Sequence, residues 1–336
     1  MAASIGTPPA TTGGVLDRVE VGGTRGGPPT RRRRARPPQR NPLRAWLLLA
    51  PALLVLGGLL LLPLVRVTTM SFEDMSGLRA LARGEGDFVG LDNYREVLGS
   101  RQLWLTVLPN TVVVAILCVV LTVVVGTLAA LLLESLRPRT RALVTMAILT
   151  AWAVPAVTGT YIWIWIFNPG DGLVSEAAQA LGLVDPGGEN WFTNRYAFFA
   201  IVVINVVHHG YPFVALTVLA GLLTVPAELT EAAVLDGAGA WRRFWSVTVP
   251  LLRPVFAVVT ILSTIWDFKV FTQVFLMPGG DGANREVLNL GTWSYVEAFG
   301  QIEYGIGSAI AVVLTITLLL ITSVYLRTLF REGELT

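Results

Sequence analysis

The chain has 336 residues, 53% of them hydrophobic and only 14% charged, with a formal net charge of +2. Its mean hydropathy is +0.63. Soluble domains carry about a quarter of their residues as charged side chains, so this composition excludes a soluble enzyme and indicates an integral membrane protein. The near-balanced charge gives no reason to expect a nucleic-acid partner. The lone Cys118 lies in an apolar run and has no partner for an internal disulfide.

Residues 1–40 are mostly Gly, Pro, Thr and Arg, with few large apolar groups. Such a segment cannot bury enough surface to offset its ordering entropy and is expected to be a disordered basic tail. Its cluster Arg31, Arg32, Arg33, Arg34 and Arg36 can touch anionic lipid heads. Residues 41–336 are expected to form the transmembrane domain. A bilayer core of roughly 30 Å is crossed by about 20 apolar helical residues, and six stretches qualify: 46–65, 107–133, 143–167, 197–223, 255–276 and 306–326. The first is too long for the core of a cleaved signal peptide, and five more follow it.

The longest connection, 66–106, contains Phe88-Val89-Gly90-Leu91-Asp92-Asn93-Tyr94. The third stretch contains Trp152-Ala153-Val154-Pro155 and then Trp163-Ile164-Trp165-Ile166-Phe167-Asn168-Pro169. Polar groups inside spans are costly and are functional candidates. Asn205, His208, His209 and Tyr211 interrupt the fourth span, and Asp267 and Lys269 the fifth. With Trp266, the residues Asn205, His208, Tyr211, Asp267 and Lys269 are the candidates for a substrate pathway. Adjacent His208 and His209 point about 100° apart on a helix, so they cannot share a metal as an i, i+4 pair does. No metal site is expected. Asp267 and Lys269 are two apart and do not face each other. Trp152, Trp163, Trp165, Trp266 and Phe271 offer flat faces that can stack on an apolar ring face, although packing or an interfacial belt is the commoner role of any one such ring.

Between the fourth and fifth spans, residues 224–253 form a polar loop with helical character. Pro226 suits a first helical turn, and Glu228 and Glu231 lie near its positive end. Ala232 and Ala233 make a close-packing face, and Gly237 and Gly239 are expected to end the helix. A second helical piece, 241–247, returns toward the membrane with Arg242 and Arg243 at the lipid boundary. Pro250 and Pro254 mark the start of the fifth span. With the N-terminus inside, seventeen arginines fall on inner segments and seven on outer ones. Positive charge resists translocation, so both termini and the Glu231 loop are expected to be cytoplasmic.

The loop reads Glu231-Ala232-Ala233, three residues, Gly237, nine residues, Val247, one residue, Val249-Pro250. This spacing resembles the coupling motif of permease subunits from binding-protein-dependent ATP-binding-cassette importers, with Val247 and Val249 replacing Ile and Leu. The strings at 88–94, 152–155 and 163–169 also resemble that family. So do Tyr211-Pro212-Phe213 leading to Ala220-Gly221-Leu222, and Phe268-Lys269-Val270-Phe271 leading to Pro278-Gly279-Gly280. The resemblance covers roughly residues 45–330 and is nearest to the first permease of carbohydrate systems, of the maltose or glycerol-phosphate type.

The resemblance implies an all-α integral membrane fold of six transmembrane helices with both termini cytoplasmic, as in type I importer permeases. It implies that Glu231, Ala232, Ala233, Asp236, Gly237 and Pro250 engage a cytoplasmic ATPase. The implied partners are a second homologous permease, two ATPase subunits, an extracytoplasmic substrate-binding protein and membrane lipid, in a bacterial plasma membrane. The cargo would be a mono- or oligosaccharide, with glycerol phosphate or a polyol as the nearest substitute. No Gly-x-x-x-x-Gly-Lys-Ser/Thr run occurs, and Lys269 is the only lysine. The chain is therefore expected to be non-catalytic and to hold no cofactor, with ATP and Mg bound by the partner. The rival reading is an ion-coupled secondary transporter of a small polar solute, using Asp267, Lys269 or the histidines. Against it, the sequence offers no obvious internal duplication or paired broken helices.

Overall fold

The computed structural model describes residues 42–84, 86–183 and 190–331, so the expectation of a disordered tail over 1–40 lies outside it. The chain divides into two units, Met1–Val55 and Leu56–Thr336. The described part of the first belongs to helix α1 (Pro42–Leu56), which carries Pro51 in its interior. Proline cannot donate to the preceding turn, a loss that transmembrane helices tolerate through local adjustment.

The second unit begins with a π turn (Gly57–Leu61) and α2 (Leu62–Met70). A small hairpin follows, β1 (Glu73–Asp74) against β2 (Asp87–Phe88), with Glu73 opposite Phe88; α3 (Gly77–Arg83) lies between the strands and α4 (Asp92–Gly99) after them. The string read at 88–94 acts here as a latch. Gly90 turns the chain with φ +63. The Asn93 amide donates to the carbonyls of Ser71 and Glu73, both at 3.0 Å. The Tyr94 hydroxyl lies 2.6 Å from Ser71 Oγ, and its ring packs on Phe72. The two amide bonds satisfy carbonyls between the end of α2 and β1.

The longest helices are α5 (Leu108–Ser135), α9 (Arg195–Leu222) and α16 (Tyr304–Arg331). Between the first two lie α6 (Pro138–Trp152), α7 (Ala156–Ile166) and α8 (Leu173–Ala180). After α9 come α10 (Ala227–Leu235), α11 (Ala240–Arg243), a π turn (Phe244–Thr248) and α12 (Val249–Leu251). Then follow α13 (Arg253–Asp267), α14 (Thr272–Leu276), a 3₁₀ turn (Arg285–Val287) and α15 (Leu290–Tyr295).

Among the described residues, five helical stretches are long and apolar enough to cross a membrane: Trp46–Met70, Leu103–Ser135, Arg195–Leu222, Arg253–Leu276 and Tyr304–Arg327. A sixth crossing exists only if α6 and α7 count together, and they are bent by 89°. The expectation of one helix over 143–167 is thereby corrected. Pro155 supplies no N–H to continue α6, and the residue before a proline is pushed out of the helical region. Pro155 instead takes φ −55, ψ 138 and starts α7.

Helices α5 and α9 pack side by side in parallel. A methyl added to Gly126 of α5 would lie 2.6 Å from Val214 Cβ of α9; one on Gly210 would lie 3.1 Å from Thr122. Ala130 and Ala215 nearby are fully buried. Small residues let two backbones approach where lipid supplies no hydrophobic drive for association. At one end of this pair, Val114, Cys118, Val202, Val206 and Val274 form a core; at the other, Leu133, Val218, Leu222 and Val259 do so. Outward faces such as Val113, Val124 and Leu128 of α5 and Leu319 and Leu320 of α16 are exposed and apolar, as helices in hydrocarbon require.

Just before α16, Ile302 takes φ 60, an outlier for a β-branched residue. The segment is held by Gly77 N–H donating to Ile302 O at 2.9 Å and Tyr304 N–H donating to Met75 O at 3.0 Å. Burial raises the Glu303 carboxyl above its ordinary range, assisted by the charges of Asp74, Glu96 and Glu297.

Two expectations follow from this packing. Gly126→Leu should destabilise the protein in detergent by about 1–3 kcal/mol or more through overpacking, whereas Gly99→Ala, which meets nothing within 4 Å, should be near neutral; equal melting temperatures for the two would disprove the close crossing. A carboxyl raised in the fold loses stability as pH rises through its folded value. Glu303→Gln should therefore raise the melting temperature at neutral pH, and that gain should vanish as pH falls below the ordinary carboxylate range.

Candidate functional site

The Glu231 loop protrudes as a short helix with little cover. No residue of α10 is buried, and Leu235 is 88% exposed. Its C-terminus is closed by a paired hydrogen-bond pattern. Gly237 N–H donates to Val234 O at 3.0 Å and Ala238 N–H to Ala233 O at 2.9 Å, with Gly237 at φ +75. This is the Schellman arrangement, which requires a left-handed residue at the position Gly237 holds. Gly239 plays another part than expected. It is extended, at φ −66 and ψ 168, and precedes α11 rather than ending α10.

Glu231, Ala232 and Asp236 are exposed and Ala233 half-buried, so the small face and its two carboxylates stay accessible. A cavity of about 950 Å³ lies beneath, lined by Glu134, Ser135, Thr230, Glu231, Arg243 and Phe244 among others. Pro250 sits in the first turn of α12, where its missing N–H costs nothing. Trp241, Phe244 and Trp245 form a mutually packed aromatic group, with ring centroids 5.2–6.4 Å apart.

A second cluster lies at the bend between α6 and α7. There a cavity of about 140 Å³ is lined by Ala156, Gly159, Trp163, Asn205, His208, His209 and Gln273, among others. Buried Asn205 accepts from Gln273 Nε2 at 3.1 Å, which ties α9 to α14. The His208 ring lies 5.9 Å from that of Trp163 and 6.3 Å from that of Tyr211. Asn205 and His208 thus line the cavity, and Tyr211 adjoins it through His208. Trp266 lies elsewhere, edge-on to Phe213 at 5.0 Å. Gln273 was missed in the sequence because nothing about its spacing marks it; the fold brings it to Asn205.

Asp267 and Lys269 lie at a discontinuity of the fifth span. Helix α13 ends at Asp267, and the chain passes through residues 268–271 before α14 begins. Two of the spans are thus interrupted, the third at Pro155 and the fifth after Asp267. The interruption is stabilised from outside: buried Asn289 donates its amide to Val270 O at 2.5 Å and caps α15 through Thr292. Irregular backbone at membrane depth persists only where such partners re-satisfy it. Lys269 is exposed in the turn. One carboxylate oxygen of Asp267, Oδ2, is buried without a hydrogen-bond partner among the described residues.

The model of a known family, described as the binding-protein-dependent transport system inner membrane component, matches residues 122–332. The diacetylchitobiose uptake system permease protein of Streptomyces coelicolor is 37% identical over 317 residues, covering 94% of both chains. The trehalose/maltose transport system permease protein of Thermococcus litoralis is 35% identical over 285 residues, covering 84% of this chain and 92% of its own. In three dimensions the chain resembles a subunit of a bacterial ABC transporter that imports the acidic polysaccharide alginate. The TM-score is 0.73 with 19% identity, over 86% of this chain and 96% of the other. At that identity the likeness speaks for the fold.

Proposed function

The chain belongs to the family of binding-protein-dependent transport system inner membrane components, and from that premise we propose how it works as the permease subunit of an ATP-driven sugar importer. Family membership and the permease relatives do not support an ion-coupled carrier. The observation that carries the reading is the α10 loop: its helix opens the spaced Glu231–Pro250 motif, is closed by Gly237, and leaves Leu235 88% exposed between two spans. Leu229, Val234 and Leu235 are exposed together on this short helix beside its small-residue face, and an apolar patch of that kind fits a docking surface.

In this reading α10 sits in a groove of an ATPase subunit that binds ATP and Mg. Closure of two such subunits moves the groove, and the helix transmits that motion to α9 and α13. Both termini and the loop are cytoplasmic, as the excess of arginine on those segments favours. A second homologous permease completes the pathway, and an extracytoplasmic binding protein delivers cargo on the opposite side. Arg243 and Phe244 at the cavity beneath α10 join the coupling element, beside Glu231, Ala232, Ala233, Asp236, Gly237 and Pro250.

The cargo is an uncharged di- or oligosaccharide. Among the described residues, the cavity at the α6–α7 bend is lined by amides, two imidazoles and the Trp163 ring, with no Asp, Glu, Lys or Arg. A flat ring with a few convergent polar groups is the chemistry that orients a sugar, and at about 140 Å³ this chain's cavity takes only part of one; relatives named for diacetylchitobiose and trehalose/maltose agree with neutral sugars. Asn205, His208, Trp163 and Gln273 form its centre, with Tyr211 behind His208. Trp266, Asp267 and Lys269 line the next part of the pathway at the break in the fifth span.

Two measurements test this. Glu231→Lys and Gly237→Pro, assayed in cells with normal insertion, should reduce uptake about tenfold or more, as a loss of ~1.4 kcal/mol or more of docking energy implies. ATPase co-purification should fall in step, and full uptake by both variants would remove the loop from the mechanism. For the cavity, Trp163→Ala and Gln273→Leu should lower transport per assembled complex for neutral oligosaccharides. Unchanged rates across a sugar panel, or a wild-type preference for uronates, would refute the cargo assignment.

A further inference from the structure

A groove of about 390 Å³ runs along the surface between α5 and α9, apart from the cavity at the α6–α7 bend. Its walls are apolar, with Val113 and Leu117 from α5 and Phe199 and Val203 from α9, and its mouth holds Arg195. That guanidinium is fixed in place. Its Nε and Nη2 donate to Asn110 Oδ1 at 3.1 and 2.6 Å. Asn110 is only 3% exposed and is itself anchored by donating to Glu286 O and Leu288 O. Arg195 makes no ion pair among the described residues, and its Nη1 has no protein partner there.

Depth and charge together specify an occupant. Arg195 is the first residue of a span, Arg195–Leu222, so it stands at the edge of the hydrocarbon, where phosphates lie. Exposed Tyr196 beside it is a side chain that favours that interface. An oriented guanidinium with spare N–H donors recognises a phosphate oxygen pair, while the groove below offers only hydrocarbon contact. We propose that this groove is a phospholipid site, with one acyl chain between α5 and α9 and the lipid phosphate on Arg195. The lipid packs against the same helix pair that the Gly126 crossing holds together, and it shields the Asn110–Arg195 bond from competing water.

Native mass spectrometry tests the site, using the full chain purified in mild detergent with the subunits it assembles with, after exposure to phosphatidylglycerol or phosphatidylcholine. One phospholipid per copy should be retained, phosphatidylglycerol in preference. Ala200→Trp fills the groove and should cut retention about tenfold, equivalent to about 1.4 kcal/mol, with the complex intact. Val120→Trp, exposed on α5 outside the groove, should change nothing. Arg195→Gln should remove the preference between the two lipids. Wild-type retention by Ala200→Trp would overturn the proposal. So would a benzophenone side chain at position 113 that cross-links to a neighbouring permease instead of to lipid.

Discussion

Much of the second unit is arranged around the contact between α5 and α9. Within hydrocarbon there is no water to compete for apolar surface, so two helices associate only where their backbones can come close enough for dispersion and interhelical hydrogen bonds to act. Gly126 against Val214 and Gly210 against Thr122 supply that closeness. Asn110 then fixes the register at one end, binding Arg195 of α9 and the carbonyls of Glu286 and Leu288 at once. A slide of either helix would separate a buried amide from its partners, and an unsatisfied polar group in lipid costs several kcal/mol. The segment that follows the fifth span is therefore positioned by the same pair.

Around that rigid pair, the irregular parts are where polar chemistry collects. The bend at Pro155 opens the cavity beside Trp163 and His208, and the break after Asp267 brings Gln273 to Asn205. Each break leaves main-chain groups that must find other partners. Asn289 meets that need at Val270. A continuous helix would have buried its carbonyls in its own bonds and left no room for a polar cavity. Discontinuity and polar cavity thus have a common cause.

The α10 loop follows opposite physics. It lies outside the apolar spans, where water can satisfy exposed groups, so its form is set locally. Gly237 and the two bonds that close the helix give it rigidity without tertiary cover. The docking role proposed for this short helix needs a free face, and it presents one.

Hydropathy and residue spacing were enough to read the membrane class, five of the six spans and the motif at 231–250, because each of these depends on contiguous residues. Lipid demands a run of apolar side chains, and a helix end demands a residue that tolerates positive φ, as Gly237 does. The latch at Asn93 and Tyr94 was legible as a string, though its partners at Ser71 and Glu73 were not. The right-angle bend of the third span was hidden, since Ala156–Ile166 is as apolar after Pro155 as any straight continuation would be. The meeting of Asn205 with Gln273, 68 residues later, and the grip of Asn289 on Val270 belong to the tertiary structure alone. Such bonds join residues whose neighbours in sequence give no periodic sign of them. They exist because burial leaves a polar group no water to bond, and only the packed fold determines which distant group stands in for it.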